Sequence, residues 1–141
     1  MKQPMTKDEL FRFLDEQPRI GRLATVSLEG DPHVVPVWFR TDEGRVLVHT
    51  MAAMRKARNV AATGRFALTV DTDEWPYRGV TMRGPARAVG TEEMDHRFIE
   101  DLAVRYLGEE HRPMGRYMAD LPQEHATLVL EPESWHAFDY S

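Results

Sequence analysis

Residues 20–50 read IGRLATVSLEGDPHVVPVWFRTDEGRVLVHT, and this stretch decides the fold. It holds three runs rich in β-branched and aromatic residues, at 20–27, 33–40 and 45–50, separated by short segments with Gly, Pro and Asp. Such runs favour strands, and connectors of this length favour hairpins. The stretch therefore predicts three sequential strands joined by tight turns.

The middle run carries apolar groups on both of its predicted faces. Alternation puts Val35, Val37 and Phe39 on one face, and Val34, Pro36 and Trp38 on the other. Apolar residues on both faces predict a strand covered on both sides, as in a barrel wall or an interface. Because Pro36 has no N–H to donate, the strand is predicted to lie at a sheet edge or to carry a bulge.

Further strands and helices follow from the patterns on either side of this stretch. Strands are predicted at 65–71, at 80–90 with an interruption at Gly84 and Pro85, and at 125–140. Helices are predicted from a capping box at Thr6 and Glu9 to Pro18, over 51–63 with Gly64 as its cap, over 92–107 capped by Thr91, and briefly near 111–122. Six strands with helical insertions predict a mainly β fold, a small barrel formed by one domain over residues 1–141.

Composition excludes several classes of protein. The 141 residues are 42% hydrophobic and 29% charged, which is typical of a folded domain. There is no cysteine, so disulfides and thiolate chemistry are excluded. A net charge of −5 argues against a nucleic-acid partner. No apolar run is long enough to span a membrane and the first residues lack a signal-peptide core, so we expect a cytoplasmic protein with no membrane partner.

Positive charge is concentrated in one segment of this acidic chain. Residues 45–70 contain five Arg or Lys and no Asp or Glu, which leaves a charge of −10 for the rest. The cluster Arg55, Lys56 and Arg58 follows Thr50 and two alanines, where a strand is predicted to give way to a helix at Thr50 or Met51. Helix N-termini attract anions, and small residues let a ligand approach. A solvated helical face is the alternative, but the combination favours a phosphate site that includes Asn59.

Other groups give weaker indications. The six histidines form no motif with metal-ligand spacing, no serine lies in a nucleophile elbow, and glycine-rich nucleotide loops are absent, so no metal is predicted and no catalytic residue can be assigned. Trp75 and Tyr77 lie in a predicted loop with Arg78. This loop suits stacking on a planar ligand or docking of a partner subunit, and a lid over the protein's own core is an equal alternative.

The ordered series RLATVSLEGDPHVVPVWFR, VLVHT, RKARNV, RFALTVD and VTMRGPARAV resembles the pyridoxamine 5'-phosphate oxidase-like flavoproteins over residues 8–138. The resemblance is greatest to the actinobacterial branch that uses the deazaflavin coenzyme F-420. It implies a six-stranded split β-barrel, the FMN-binding split barrel, and a homodimer with two cofactor sites at the subunit interface.

The resemblance also implies a role for particular residues. The cofactor phosphate is expected at Thr50, Arg55, Lys56, Arg58 and Asn59, and the tricyclic ring along Pro36, Val37 and Trp38. Trp75 and Tyr77 are expected to flank the ring or the coenzyme tail. The RKARN and VPVWF segments favour F-420 over FMN.

Function then follows from the cofactor, which carries the hydride chemistry while the protein binds and orients. We expect an oxidoreductase in which reduced F-420 transfers a hydride to an unsaturated or quinone-like small molecule. One alternative is an FMN-binding reductase or electron carrier of the same fold. A further alternative is a non-catalytic module that binds a cofactor or a tetrapyrrole.

Overall fold

The computed structural model describes residues 4–90 and 97–141. Its helices are α1 (Lys7–Asp15), α2 (Arg55–Thr63), α3 (Arg97–Leu107) and α4 (Arg112–Ala119), with a 3-10 helix at Glu109–His111 before α4. Its strands are β1 (Gly21–Val26), β2 (Pro32–Val37), β3 (Arg40–Asp42), β4 (Arg45–Met51), β5 (Arg65–Asp71), β6 (Arg78–Gly90), β7 (His125–Leu130) and β8 (Ser134–Asp139). The predicted cap at Thr91 lies outside the described residues. None of the described helices is long and apolar enough to cross a membrane.

The strands form one antiparallel sheet in the order β2-β1-β5-β6-β7-β4-β3, with β8 added beside β6. The predicted class, a mainly β split barrel with helices, is confirmed. The predicted count of six strands is wrong, because the described residues form eight. The hairpins predicted between β1 and β2 and before β4 are both present, the second as the short β3–β4 pair.

Two predicted strands are each divided in the structure, for identifiable reasons. The run at 33–40 ends at Val37 because the N–H of Phe39 donates to the hydroxyl of Tyr106 at 3.0 Å rather than to a neighbouring strand. The run at 125–140 breaks at 131–133, where Pro132 has no N–H to donate. These divisions create β3 and β8.

The long strand β6 joins the two parts of the sheet at Gly84 and Pro85. Before this point it pairs with β8, and after it with β7. A Cβ at Gly84 would lie 2.1 Å from the carbonyl oxygen of Glu131, so only glycine permits the approach of the two backbones. The N–H of Glu131 donates to the carbonyl of Pro85 at 3.0 Å, which fixes the crossing. The predicted interruption is therefore a change of partner within a continuous strand.

The main core fills the space between the sheet and α1. The capping box predicted for α1 is confirmed, since Thr6 Oγ1 accepts from the N–H of Glu9 and Glu9 Oε1 accepts from the N–H of Thr6. The helix buries Leu10, Phe13 and Leu14 against strand residues such as Leu23 and Leu68. A second, smaller cluster lies under α3 and consists of Leu47, Phe98, Leu102 and Val129.

Successive residues of β4 therefore face different clusters. Val46 and Val48 belong to the main core, whereas Leu47 faces α3. Residues two positions apart in a strand share a face, so His49 lies on the side of α3 and Thr50 on the side of the main core. This alternation places two residues that are adjacent in the sequence on opposite faces of the strand.

The edge strand β2 is covered on one face only. Val37 is buried in the core, but Val34 is 64% exposed and Pro36 is exposed too. The single chain therefore covers one face of β2, and covering of the other face at an interface stays a prediction. The predicted edge position is confirmed, because β2 is the first strand of the sheet and pairs only with β1.

Helix α2 begins later than predicted, at Arg55 rather than at Thr50 or Met51. Strand β4 continues to Met51, and the N–H of Ala52 then donates to the carbonyl of Glu124 at 2.8 Å, which holds this segment out of the helix. At the other end the prediction is confirmed, since Gly64 caps the helix with a φ of 68°.

Candidate functional site

A cleft of about 380 Å³ opens between β2, β4, α2 and the pair of helices α3 and α4. Most of its walls are apolar, and two polar side chains stand among them. Its lining consists of Ile20, Pro36, Val37, Trp38, His49, Lys56, Ile99, Leu102 and Met118. Four of the ten predicted site residues, Pro36, Val37, Trp38 and Lys56, thus come together in one cavity.

The aromatic wall of the cleft is held in place by a tyrosine. The indole of Trp38 stacks on the ring of Tyr106, with centroids 5.0 Å apart and planes 5° from parallel. The Tyr106 hydroxyl donates to the carbonyl of Arg19 at 2.8 Å and accepts from the N–H of Phe39 at 3.0 Å. Burial raises the pKa of this hydroxyl. A rigid indole of this kind suits a flat ligand laid along β2.

Lys56 supplies a positive charge inside the cleft. Burial lowers the pKa of its amine, because the charged form loses hydration there. No carboxylate among the described residues pairs with this lysine, although arginines such as Arg19 and Arg112 do form ion pairs. A partly buried cation without a counter-charge is costly alone and is relieved by an anionic ligand.

The remaining cations of α2 are also without carboxylate partners in the described part of the chain. Arg55 and Arg58 are both exposed on the helix that carries Lys56. The helix has no side-chain cap, since its N-cap residue is Met54, and no acidic residue occupies its first turn. Its first N–H groups are thus left to water or to an anion. This end of α2 has the properties that a phosphate requires.

Two other predicted phosphate ligands are buried away from this surface. Asn59 is 6% exposed, and its Nδ2 donates to Oγ1 of Thr25 at 3.1 Å. Thr50 is 5% exposed, and neither residue lines the cleft. The Asn59–Thr25 bond ties α2 to β1, so in this chain Asn59 fixes the helix on the sheet. Contact of these two residues with a phosphate stays a prediction.

The predicted aromatic loop lies at a second cleft, of about 810 Å³. Trp75 lines that cleft and is 70% exposed; its ring meets Tyr77 edge-on at 5.4 Å and stacks on Tyr140 at 6.0 Å. Since these rings are largely exposed, the loop is not a lid over the core. Ile20 lines both clefts, so the aromatic group and the lysine cleft are neighbours along the surface.

Sequence reasoning missed one feature of the cleft, a pair of histidines. His49 on β4 and His125 at the start of β7 bring Nε2 and Nδ1 to 2.9 Å. His125 Nε2 lies 2.8 Å from the carbonyl oxygen of Leu121. Burial, with the nearby charges of His125 and Lys56, lowers the pKa of His49 to about 4. No local pattern in the sequence signals this pair, because the two histidines meet through the pairing of β4 with β7, in which Met51 faces His125, two residues from His49.

Taken together, the cleft offers a flat apolar slot, a cation with no partner and a neutral imidazole. None of the residues that line it is a serine, threonine or carboxylate nucleophile. The arrangement can bind a planar anion and can exchange a proton through His49. A group that carries electrons would have to come from the ligand.

Comparison with known proteins connects this geometry to one family. Residues 6–139 match the family described as pyridoxamine 5'-phosphate oxidase. Among characterised proteins, the 5a,11a-dehydrotetracycline/5a,11a-dehydrooxytetracycline reductase of Streptomyces rimosus is 41% identical. The similarity covers 67% of this chain and 70% of that enzyme.

Solved structures show the same fold. A conserved hypothetical protein from Mycobacterium tuberculosis superposes with a TM-score of 0.80 at 26% identity, covering 99% of this chain and 91% of its own. An F-420 reductase superposes with a TM-score of 0.69 at 26% identity, covering 89% of this chain and 94% of its own.

Proposed function

The chain belongs to the pyridoxamine 5'-phosphate oxidase family, and we propose that it is an oxidoreductase that uses reduced coenzyme F-420 to reduce an unsaturated or quinone-like small molecule. The observation that carries the proposal is the unpaired Lys56 at a cleft walled by Pro36, Val37 and Trp38. The similar enzyme from Streptomyces is named for the reduction of a 5a,11a-dehydro compound, which is an unsaturated substrate. A similar structure is named an F-420 reductase.

The residues of the cleft fit a planar cofactor that bears a phosphate. Lys56, with Arg55 and Arg58 on the same helix and the uncapped N–H groups of α2, would hold the phosphate. Pro36, Val37 and the fixed indole of Trp38 would hold the ring. When bound, the cofactor supplies the hydride chemistry.

The protein's own part in the reaction is binding, orientation and exclusion of water. Ile99 and Leu102 of α3 and Met118 of α4 give the cleft an apolar wall opposite β2. Such a wall excludes water from a reacting centre and strengthens electrostatic interactions inside it. A small apolar substrate with an electron-poor double bond suits this space better than a charged one.

Titration of the purified protein with F-420 and with FMN, each followed by fluorescence, tests the proposal. We expect micromolar or tighter binding of F-420 and F-420-linked reduction of an unsaturated acceptor. Binding of neither cofactor would contradict the proposal. Exclusive binding of FMN would favour the alternative of an FMN-dependent reductase or electron carrier.

A pair of double variants tests the phosphate anchor. Replacing Lys56 and Arg58 by alanine removes one charge that lines the cleft and one exposed charge on the same helix. The change should weaken cofactor binding at least about 100-fold, since each charge-assisted bond contributes about 1.5–3 kcal/mol. Replacing Lys7 and Arg65 by alanine removes the same charge from α1 and from the start of β5, outside the cleft lining. Equal loss of affinity in both double variants would show a non-specific charge effect.

The third candidate, a non-catalytic module, differs in one observable. A cofactor or tetrapyrrole would then bind tightly, with no turnover of any acceptor under reducing conditions. The His49–His125 pair favours the enzyme, because a pure carrier has no need of a group that exchanges protons inside the cleft.

We further propose a cytoplasmic homodimer in which the partner subunit completes the cofactor site. Support comes from three exposed apolar residues. Ile20 and Trp75 line the clefts and are 38% and 70% exposed, and Val34, on the face of β2 that carries Pro36, is 64% exposed. A surface of this kind is favoured at subunit contacts. Sedimentation of the wild type and of Val34→Glu tests this: the wild type should sediment as a dimer and the variant as a monomer. A monomeric wild type would contradict it.

A further inference from the structure

The hydrogen bonds of the His49–His125 pair fix where protons can reside. A backbone carbonyl only accepts, so the 2.8 Å contact between Leu121 O and His125 Nε2 requires a proton on Nε2. The nitrogen of His125 that is left to share a proton with the other ring is therefore Nδ1, which lies 2.9 Å from His49 Nε2. One proton must lie between these two nitrogens, and it belongs to either ring.

Each of the two proton positions determines the state of the last nitrogen, Nδ1 of His49. When both rings are neutral, His49 Nε2–H donates to His125 and His49 Nδ1 is bare. When one proton is added, His125 becomes the imidazolium, its Nδ1–H donates to His49, and His49 Nδ1 carries a hydrogen. The heavy atoms need not move between these states, since both satisfy the same two contacts.

The free nitrogen belongs to the ring that lines the cleft. His49 is among the lining residues and His125 is not. Within the described residues, His49 Nδ1 has no hydrogen-bond partner, whereas the other three ring nitrogens of the pair are all engaged. One ring nitrogen of the pair is thus free to bind or release a proton, and it belongs to the histidine that lines the cleft.

We propose that His49 and His125 form a two-imidazole proton relay, in which His125 holds the positive charge and His49 delivers the proton that completes substrate reduction. This inference rests on the proposed function, because it assigns the proton that must accompany the hydride. It identifies His49 as the catalytic acid and His125 as the residue that passes a proton to His49.

The step balances in atoms and electrons. Hydride adds to one carbon of the substrate double bond, and the π electron pair moves to the second carbon or to an oxygen conjugated with it. His49 Nδ1–H breaks as a new C–H or O–H bond forms, while His49 Nε2 takes the proton from His125 Nδ1. When bound, the reduced deazaflavin would supply this hydride and with it the two electrons. A solvent proton entering at His49 Nδ1 recharges the pair after product leaves.

The environment of His49 explains why this ring does not keep the charge. The titratable groups that face His49 in the described structure are Lys56 on α2 and His125 on β7, and both oppose a charge on His49. Burial is the largest cause, and together with these two charges it lowers the pKa of His49 to about 4, so His49 is neutral in either state. His49 can pass a proton on without itself keeping the charge.

Nitrogen-15 NMR of the protein without cofactor tests the tautomers directly. At neutral pH we expect His125 to carry its hydrogen on Nε2, and on acidification we expect new protons on His125 Nδ1 and His49 Nδ1 together. In His125→Gln the amide oxygen can still accept from His49, but the acid-linked proton on His49 Nδ1 should be lost. Two results would overturn the relay: a hydrogen on His125 Nδ1 at neutral pH, or an imidazolium that forms on His49 before His125 as the pH is lowered.

Kinetics of the cofactor-loaded enzyme give the second readout. His49→Gln and His125→Gln should each lower kcat about 100-fold, at the low end of the range for a general acid, and abolish the solvent isotope effect and the alkaline limb of the pH profile, along which the pair loses the proton that it delivers. The control His111→Gln changes an exposed histidine and should leave kcat unaltered. Unchanged kcat and pH profile in His125→Gln would overturn the inference.

Binding and kinetic measurements together distinguish failure of the relay from failure of the proposed function. Because His125 does not line the cleft, His125→Gln should bind F-420 within about threefold of the wild type. If the wild type binds and turns over but the histidine variants match it, only the relay fails. If the wild type binds neither F-420 nor FMN, the proposed function fails, and the relay as a catalytic device fails with it.

Discussion

Tyr106→Phe removes a single oxygen atom that two backbone segments share. The hydroxyl accepts from the N–H of Phe39 at 3.0 Å and donates to the carbonyl of Arg19 at 2.8 Å. Phe39 is fully buried, so its N–H is left without a partner in the variant. An unpaired buried donor costs about 1–3 kcal/mol, and the loss of the bond to Arg19 adds about 0.5–1.5 kcal/mol.

The two contributions sum to about 1.5–4.5 kcal/mol, so the expected loss in the free energy of unfolding is about 3 kcal/mol, in the middle of that range. For a domain of this length that corresponds to a fall in Tm of roughly 6–12 °C. Urea denaturation followed by tryptophan fluorescence measures it, and Trp38, which stacks on this ring, is a reporter at the site. The slope of the transition should not change, because the surface exposed on unfolding is the same.

The matched control is Tyr117→Phe. Tyr117 is 69% exposed on α4, and its hydroxyl has no hydrogen-bond partner among the described residues. This change should alter stability by less than about 0.5 kcal/mol. If Tyr106→Phe costs no more than the control, then the hydroxyl does not tie α3 to the start of β1 and the end of β2, and the reasoning about the rigid Trp38 wall is refuted.

Three further predictions concern the cleft and the sheet. Lys56→Met should raise the Tm of the free protein while it weakens F-420 binding, because it removes a partly buried cation with no partner. Lys7→Met is the control, and a lower Tm for Lys56→Met would refute the energetic cost assigned to Lys56. The free energy of unfolding should rise by about 1–2 kcal/mol between pH 4 and 6.5, after allowance for partial solvent screening, because in that window the unfolded chain binds a proton at His49 and the folded protein does not. Urea denaturation at several pH values should show a steeper rise for the wild type than for His49→Gln. Equal slopes would contradict the prediction. Gly84→Ala should cost more than about 3 kcal/mol, since its Cβ would lie 2.1 Å from a backbone oxygen of Glu131, and a soluble variant with unchanged urea midpoint would show that the two strands do not cross there.

Features with a local cause could be predicted from the sequence. The capping box at Thr6 and Glu9 and the cap at Gly64 depend on residues within four positions of one another, and both are present. The edge position of β2 followed from the missing N–H of Pro36. Each of these features depends on one residue or on residues close to it in the sequence.

Features with a distant cause could not be predicted in the same way. The Ala-rich segment before Arg55 has helical propensity, but the carbonyl of Glu124 takes the N–H of Ala52 and prevents the helix from starting earlier. The two histidines of the relay are 76 residues apart, and their contact depends on the pairing of β4 with β7. Sequence periodicity gives the face of each residue but not the strand that lies beside it.

The placement of prolines in β2 also bears on how this sheet meets other protein molecules. Pro32 and Pro36 occupy alternate positions, together with Val34, and proline cannot fill a hydrogen-bonded pair with β1. These three residues therefore direct their backbone groups away from β1, and two of the three have no N–H to offer. An additional strand that paired with β2 would need an N–H donor from each of these three residues and would find only that of Val34. The free margin of the sheet thus resists edge-to-edge aggregation, and a second copy has to meet this surface through side chains rather than by prolonging the sheet.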